Sequence, residues 1–289
     1  MSPTSVEKTV ETAGKNYAIG EEGSHNLAKG MEHPHKLPKF ENPYDKRKWM
    51  LEHMAGAFRV FGRKGYSEGS AGHISLKDPV TPGTFWINPL NKHFSLIKAS
   101  DLVHIDLECN VLEDGNQAAV NAAGFSIHAA IHKARPDIVS ACHTHLIHGK
   151  TYLTFGKKLE MINQDVCIFY ERHSVFSNFG GVALDEREGE EIAEALGPDG
   201  LGVILQNHGL LTVGKTVDEA AFLFNLMEDS CHAQLLADAA SAGGYKKQFI
   251  NDEVATYTRH MTGDPESLYA EFQPDFELEL ELTNSAFLK

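Results

Sequence analysis

No stretch of this 289-residue chain approaches the ~18 consecutive apolar residues that a membrane-spanning helix needs. Cysteine is scarce. Cys109, Cys142, Cys167 and Cys231 lie far apart without a CxxC pair, which points to reduced core thiols rather than a disulfide framework. Positive charge is also short: 26 Lys and Arg face 40 Asp and Glu, a net charge of −14 at pH 7. Phosphate-backbone binding requires a clustered basic surface, so no nucleic-acid partner is expected. Met1 to Ala13 lacks the charged start and apolar run of a secretory signal. The expected setting is therefore cytoplasmic, with no membrane partner. Walker loops, GxGxxG and Ser/His/Asp nucleophile patterns are missing too. Against these shortages stand 16 histidines, the compositional feature that most needs a chemical reason.

The chain is long enough to bury a sizeable core without disulfides. Residues 1–42 are polar and aperiodic, the stretch from His33 to Pro43 carries three prolines, and the segment reads as a flexible arm or one ordered only by docking. His33 and His35 within it read as solvated. Met50, Met54, Ala57, Phe58 and Phe61 then trace a helical face that Gly62 and Gly65 stop. Short strand-like runs follow at 73–76, 84–87 and 102–106. A helix is expected over about 125–134, a buried strand over 138–145 and a helix over 146–155. Further strands are expected at 166–170 and 202–205, and the longest helix at 218–240. This interleaving predicts one α/β domain over residues 43–245, a central, mostly antiparallel sheet between helical layers. Residues 246–289 form an extension. Within it Phe276, Leu278, Leu280 and Leu282 alternate with glutamates, which predicts an extended segment docking on the domain or a neighbouring subunit.

The chemical signal lies in Cys142-His143-Thr144-His145. On a strand, positions i and i+2 share a face, so His143 and His145 point together. Two converging imidazoles suit a divalent cation held by neutral nitrogens. His208 follows the apolar run Val203-Ile204-Leu205 and precedes Gly209, which places a third imidazole at a sheet end. Together they would form a facial three-histidine site with positions left open for substrate or water.

Residues 128–137 (HAAIHKARPD), 142–145 (CHTH) and 207–220 (NHGLLTVGKTVDEA) resemble the class II aldolase/adducin family over roughly residues 45–245. That family includes fuculose- and rhamnulose-phosphate aldolases, ribulose-phosphate 4-epimerase and the non-catalytic adducin head. The resemblance implies an α/β/α layered fold and a homo-oligomer, usually a tetramer, with the metal near a subunit boundary. It also implies that His143, His145 and His208 hold one divalent metal per chain, zinc first, with Fe(II) or Mn as alternatives.

The sequence departs from the aldolase pattern in two places. Where those aldolases carry Ser-Ser-Glu, with the serines on the substrate phosphate and the glutamate as metal contact and base, this chain reads Ala122-Ala123-Gly124. Their phosphate-loop Gly-Asn reads Gly72-His73. A proton-transfer group must then come from elsewhere, and His73, Asp165 and Tyr170 are the candidates. Gly72, Asn88, Gly124 and Gln164 are expected beside the substrate. His128 and His132 share a helical face and read as supporting residues, Glu68 and Glu108 as surface acids. The first functional expectation is a metal-dependent lyase acting on a small non-phosphorylated hydroxy-carbonyl or hydroxy-acid molecule. The alternatives are a non-haem Fe(II) oxygenase using the same histidines and a non-catalytic adducin-like scaffold.

Overall fold

The computed structural model describes residues 8–12, 15–19, 33–181 and 186–289. Strands β1 (Lys8–Thr12) and β2 (Lys15–Ile19) pair as an antiparallel hairpin. The chain then enters α1 (Pro43–Arg63), started by the Asn42 side chain, which accepts from the Tyr44 amide. Strands β3 (His73–Lys77), β4 (Phe85–Ile87) and β5 (Val103–Ile105) precede α2 (Ala122–Ala134). Next come β6 (Ser140–Thr144), the short α3 (Ile147–Tyr152), β7 (His173–Phe176) and α4 (Glu186–Leu196). Strands β8 (Gly202–Leu205) and β9 (Gly209–Gly214) lead into α5 (Val217–Ala242), α6 (Asp252–Thr262) and α7 (Pro265–Thr283).

Seven strands form one sheet in the order β5-β4-β3-β6-β9-β8-β7. Every pair is antiparallel except β7 with β8, so the expected mostly antiparallel sheet between helices is found. The pleat sorts side chains between two cores. Ile74, Cys142, Ile204 and Leu210 face a cluster with Phe58, Phe61, Phe224 and Phe272 of α1, α5 and α7. Ala141, Val203, Leu211 and Val213 face Ile127, Ile131 and Ile192 of α2 and α4. His73 and Ser75 alternate with Ile74 and Leu76 on β3, so they lie on the α2 side. Among the described residues, no helix is long and apolar enough to cross a membrane.

Two local expectations are corrected. The run 166–170 is not a strand; Asp165–Phe169 winds into a 3₁₀ turn, which sends Val166, Cys167 and Phe169 into the core. The alternating segment 276–282 is helical, inside α7. Asp264 caps that helix by accepting from the Glu266 and Ser267 amides, and Pro265 sits in its first turn, where no amide is missed. As a helix the segment splits its apolar residues: Phe272, Phe276 and Leu280, at i, i+4 and i+8, pack inward, while Leu278 and Leu282 are exposed. Glu279 is buried and accepts from Arg63 of α1, whose guanidinium also donates to Asp275. An aromatic stripe and these ion pairs outweigh the strand-like alternation.

Candidate metal centre

The site lies where β6 and the β8–β9 hairpin end. His143, on β6, is buried and donates its Nδ1–H to the Leu210 carbonyl at 2.8 Å, which fixes Nε2 as the free lone pair. His145, two residues on, brings its own Nε2 to 3.1 Å from that atom. The turn after β8 supplies the third ring: Asn207 takes the left-handed conformation (φ 60°), and the His208 amide donates to the Leu205 carbonyl at 3.0 Å. The His208 ring centroid is 4.8 Å from that of His143 and 5.0 Å from that of His145.

One nitrogen from each of the three rings lies within 4.8 Å of the others, the group that could hold a metal ion among the described residues. Nitrogens bound to one zinc ion at about 2.0–2.1 Å stand roughly 3.0–3.4 Å apart, so the 3.1 Å spacing of the two Nε2 atoms suits a shared cation. Electrostatics agree. Burial holds His143 well below the ordinary imidazole pKa, with neighbouring rings adding to the effect. Burial also lowers His145, and it brings His208 down to about 4 with help from His145. Neutral rings with convergent lone pairs are what a divalent cation requires.

The three rings lie on a cavity of about 490 Å³ that also reaches Gly72, His73, Gly124, Lys150 and Phe179. His73 pairs with His143 across β3 and β6, and their ring centroids are 5.0 Å apart. Its Nδ1 lies 3.0 Å from Nε2 of His128 on α2. Gly124 and His73 are coupled by volume, because a β-carbon at 124 would overlap the His73 ring at Nε2. The imidazole therefore occupies the space next to the position where the aldolase pattern has its glutamate. Gly72 takes φ 93°, close to Phe94 and Thr144, and its carbonyl accepts from Asn88 Nδ2 at 3.4 Å.

Of the residues expected at the site, the structure brings together His73, Gly72, Gly124, His143, His145 and His208. Asn88 lies behind the cavity wall, holding Gly72 from a buried position. Gln164 and Asp165 are exposed at the start of the 3₁₀ turn, away from the cavity, because that turn replaces the expected strand. Tyr170 lies against Arg259 of α6, which donates to its carbonyl, and does not line the cavity either. Sequence reasoning missed Lys150, which donates to Glu68 at 2.6 and 2.8 Å. Its position on α3, which begins two residues after His145, was the available signal. Phe179, whose ring centroid is 6.1 Å from that of His208, gave none.

Comparison with known proteins places this geometry in context. Residues 52–235 match the family described as Class II Aldolase and Adducin N-terminal domain. The meiotically up-regulated gene 14 protein of Schizosaccharomyces pombe is 46% identical over 248 residues, covering 86% of this chain and 95% of that protein. Decarboxylase NovR of Streptomyces niveus is 39% identical over 244 residues, covering 84% of this chain and 88% of its own. The 4-hydroxy-3-prenylphenylpyruvate oxygenase/4-hydroxy-3-prenylbenzoate synthase of Streptomyces roseochromogenus is 40% identical over 244 residues, with coverages of 84% and 86%. Among solved structures, the L-fuculose 1-phosphate aldolase from Glaciozyma antarctica superposes with a TM-score of 0.80 at 36% identity, covering 88% of this chain and 97% of that one.

Proposed function

The chain belongs to the class II aldolase and adducin family, and from that premise we propose that it is a metal-dependent lyase. It breaks a carbon–carbon bond, by aldol cleavage or decarboxylation, in a small non-phosphorylated hydroxy-carbonyl or hydroxy-acid substrate. The observation that carries this reading is the convergence of three imidazoles on one cavity, with a fourth, His73, beside them. His143, His145 and His208 would hold one divalent ion, zinc first and Fe(II) or Mn as alternatives. When bound, that ion supplies Lewis acidity toward a substrate carbonyl or carboxylate.

The other roles fall to the chain's own groups. His73, whose ring fills the room that Gly124 leaves at the cavity wall, is the proton-handling group. Lys150, steadied by Glu68, offers positive charge to a substrate carboxylate. Ala123 lines the cavity without a hydroxyl for a phosphate. The name of the decarboxylase relative supports the lyase reading. A second reading, an Fe(II) oxygenase, is favoured by the relative named as an oxygenase; three histidines can hold Fe(II) and leave positions for dioxygen and substrate. A non-catalytic scaffold would have no need of the intact cluster.

The test is to load the purified protein with zinc or, anaerobically, with Fe(II), and offer a panel of hydroxy and 2-oxo acids. Carbon dioxide, aldehyde and dissolved oxygen are followed together. Product release without oxygen uptake supports the lyase. Oxygen uptake in step with product supports the oxygenase. Absence of turnover with either metal across the panel counts against both and in favour of the scaffold.

A further inference from the structure

Among the described residues that line the cavity there is no Asp or Glu, and Lys150 is the only Lys or Arg. Its ammonium is already engaged. Nζ lies 2.6 and 2.8 Å from the two carboxylate oxygens of Glu68, which does not itself line the cavity. Glu68 starts a turn that continues into the cavity wall. The Ala71 amide donates to its carbonyl at 3.0 Å, Gly69 takes φ 58°, and Ser70, Ala71 and Gly72 then line the cavity. The ion pair thus ties α3 to the turn before β3.

Three observations decide what Glu68 does there. The main chain at Lys150 is fixed without it. Buried Glu228 of α5 accepts from the His148 and Gly149 amides at 3.0 and 2.7 Å, and the Lys150 amide donates to the Leu146 carbonyl at 2.6 Å. Glu68 is therefore not needed to bring α3 to the cavity; what it adds is negative charge. That charge is loosely held, because the Lys150 and Glu68 side chains are 36% and 52% exposed, and pairs so open to water exchange partners at little cost. Both oxygens of Glu68 also lie on the one ammonium, so a second carboxylate bound to the same nitrogen would stand beside a like charge and be repelled.

We propose that Glu68 is a specificity-determining residue: it holds Lys150 in the free protein and yields it to the carboxylate of an incoming 2-hydroxy or 2-oxo acid. A neutral hydroxy-carbonyl compound brings no charge to replace that of Glu68, and so draws little binding from Lys150. The exchange narrows the substrate of the proposed function to an acid and rests on that function for its reaction. The exchange itself is a binding equilibrium, read without turnover. Its sign is set by charge: with Glu68 neutralised, the ammonium is free for the ligand, and an anion binds more tightly.

The experiment is titration calorimetry of the full-length, zinc-loaded protein with glycolate and, as its uncharged counterpart, glycolamide, in buffer free of other carboxylates. Wild type is compared with Glu68→Gln, Lys150→Gln and the double variant, after zinc content and thermal melting of each are measured. Glu68→Gln is expected to bind glycolate about three- to tenfold more tightly, and Lys150→Gln about tenfold more weakly. On the Lys150→Gln background, Glu68→Gln should change glycolate affinity by less than about twofold, because its effect runs through the ammonium. Glycolamide should bind alike in all four proteins. Glycolate binding that is unchanged or weaker in Glu68→Gln overturns the proposal, as does a gain that persists fully without Lys150. Undetectable glycolate binding in both wild type and Glu68→Gln overturns it too. If the wild type takes up no zinc, the metal reading fails by itself, and the same titrations on the metal-free proteins decide this one.

Discussion

At the residue scale, the informative exchange is His73 with Gly124. A ring at 73 and a side chain at 124 compete for one volume, so the two positions should be energetically coupled. Gly124→Ala is expected to cost about 1–3 kcal/mol through overpacking, read as a lowered urea midpoint. Adding His73→Asn should recover much of it; additive losses in the double variant would contradict the shared volume. A second expectation follows from Ala122 and Ala123. A phosphate lacking two hydroxyl donors forgoes charge-assisted hydrogen bonds worth roughly 1.5–3 kcal/mol each. Fuculose 1-phosphate and rhamnulose 1-phosphate should therefore be poor substrates in a steady-state assay, and brisk turnover would refute the argument. The three-histidine cluster was legible in sequence because i, i+2 spacing on a strand and a glycine after a strand-end histidine are local signals. Lys150 had only its position on the helix just after His145 as a signal, and Phe179 had none, since its place depends on how the loop after β7 returns to the sheet end.

At the element scale, α7 shows where periodicity misleads. Strict alternation over 276–282 reads as a strand, but the choice was made by residues outside the window: Asp264 capping the helix, Phe272 extending the inward stripe, and Arg63 donating to Glu279. A strand would place Phe276, Leu278, Leu280 and Leu282 on one face, so their substitutions would cost alike. The helix predicts a split. Phe276→Ala should lose about 3–5 kcal/mol, because the ring stacks on His53 with centroids 4.1 Å apart. Leu278→Ser and Leu282→Ser should stay within about 0.5 kcal/mol. Thermal melts of the three variants decide, and equal losses would favour the extended form. The 3₁₀ turn at Asp165–Phe169 escaped for a related reason: a short apolar run fits a strand or a turn equally well until its packing partners are known.

At the scale of the whole molecule, the layered sheet was legible because helix and strand patterns alternate along the sequence, whereas the strand order, which depends on long-range pairing, was not. The same layering buries several neutral imidazoles, with a consequence for acid stability. An unfolded histidine titrates near 6.5. His73, His128 and His143 lie well below that value in the fold, and His132 lies at about 3. Below pH 6.5 the unfolded chain binds protons that the native state refuses, so native stability falls as pH falls, by about 1.4 kcal/mol per pH unit for each such ring. For His132 the loss continues toward pH 3. Glu219, raised to about 7 by burial, acts in the opposite sense and offsets one ring over part of the range. Urea midpoints of the metal-free protein should therefore drop steeply from pH 6.5 to pH 5, and less steeply in His132→Leu. A midpoint constant over that window would contradict the burial of neutral rings.

The central claim, that His143, His145 and His208 hold one divalent ion, is tested most directly by elemental analysis of wild-type protein beside His143→Ala, both purified without chelators. The account predicts about one metal ion per chain in the wild type and a large loss in the variant, because removing one of three neutral donors opens the cluster. Equal metal content in the two proteins would contradict it.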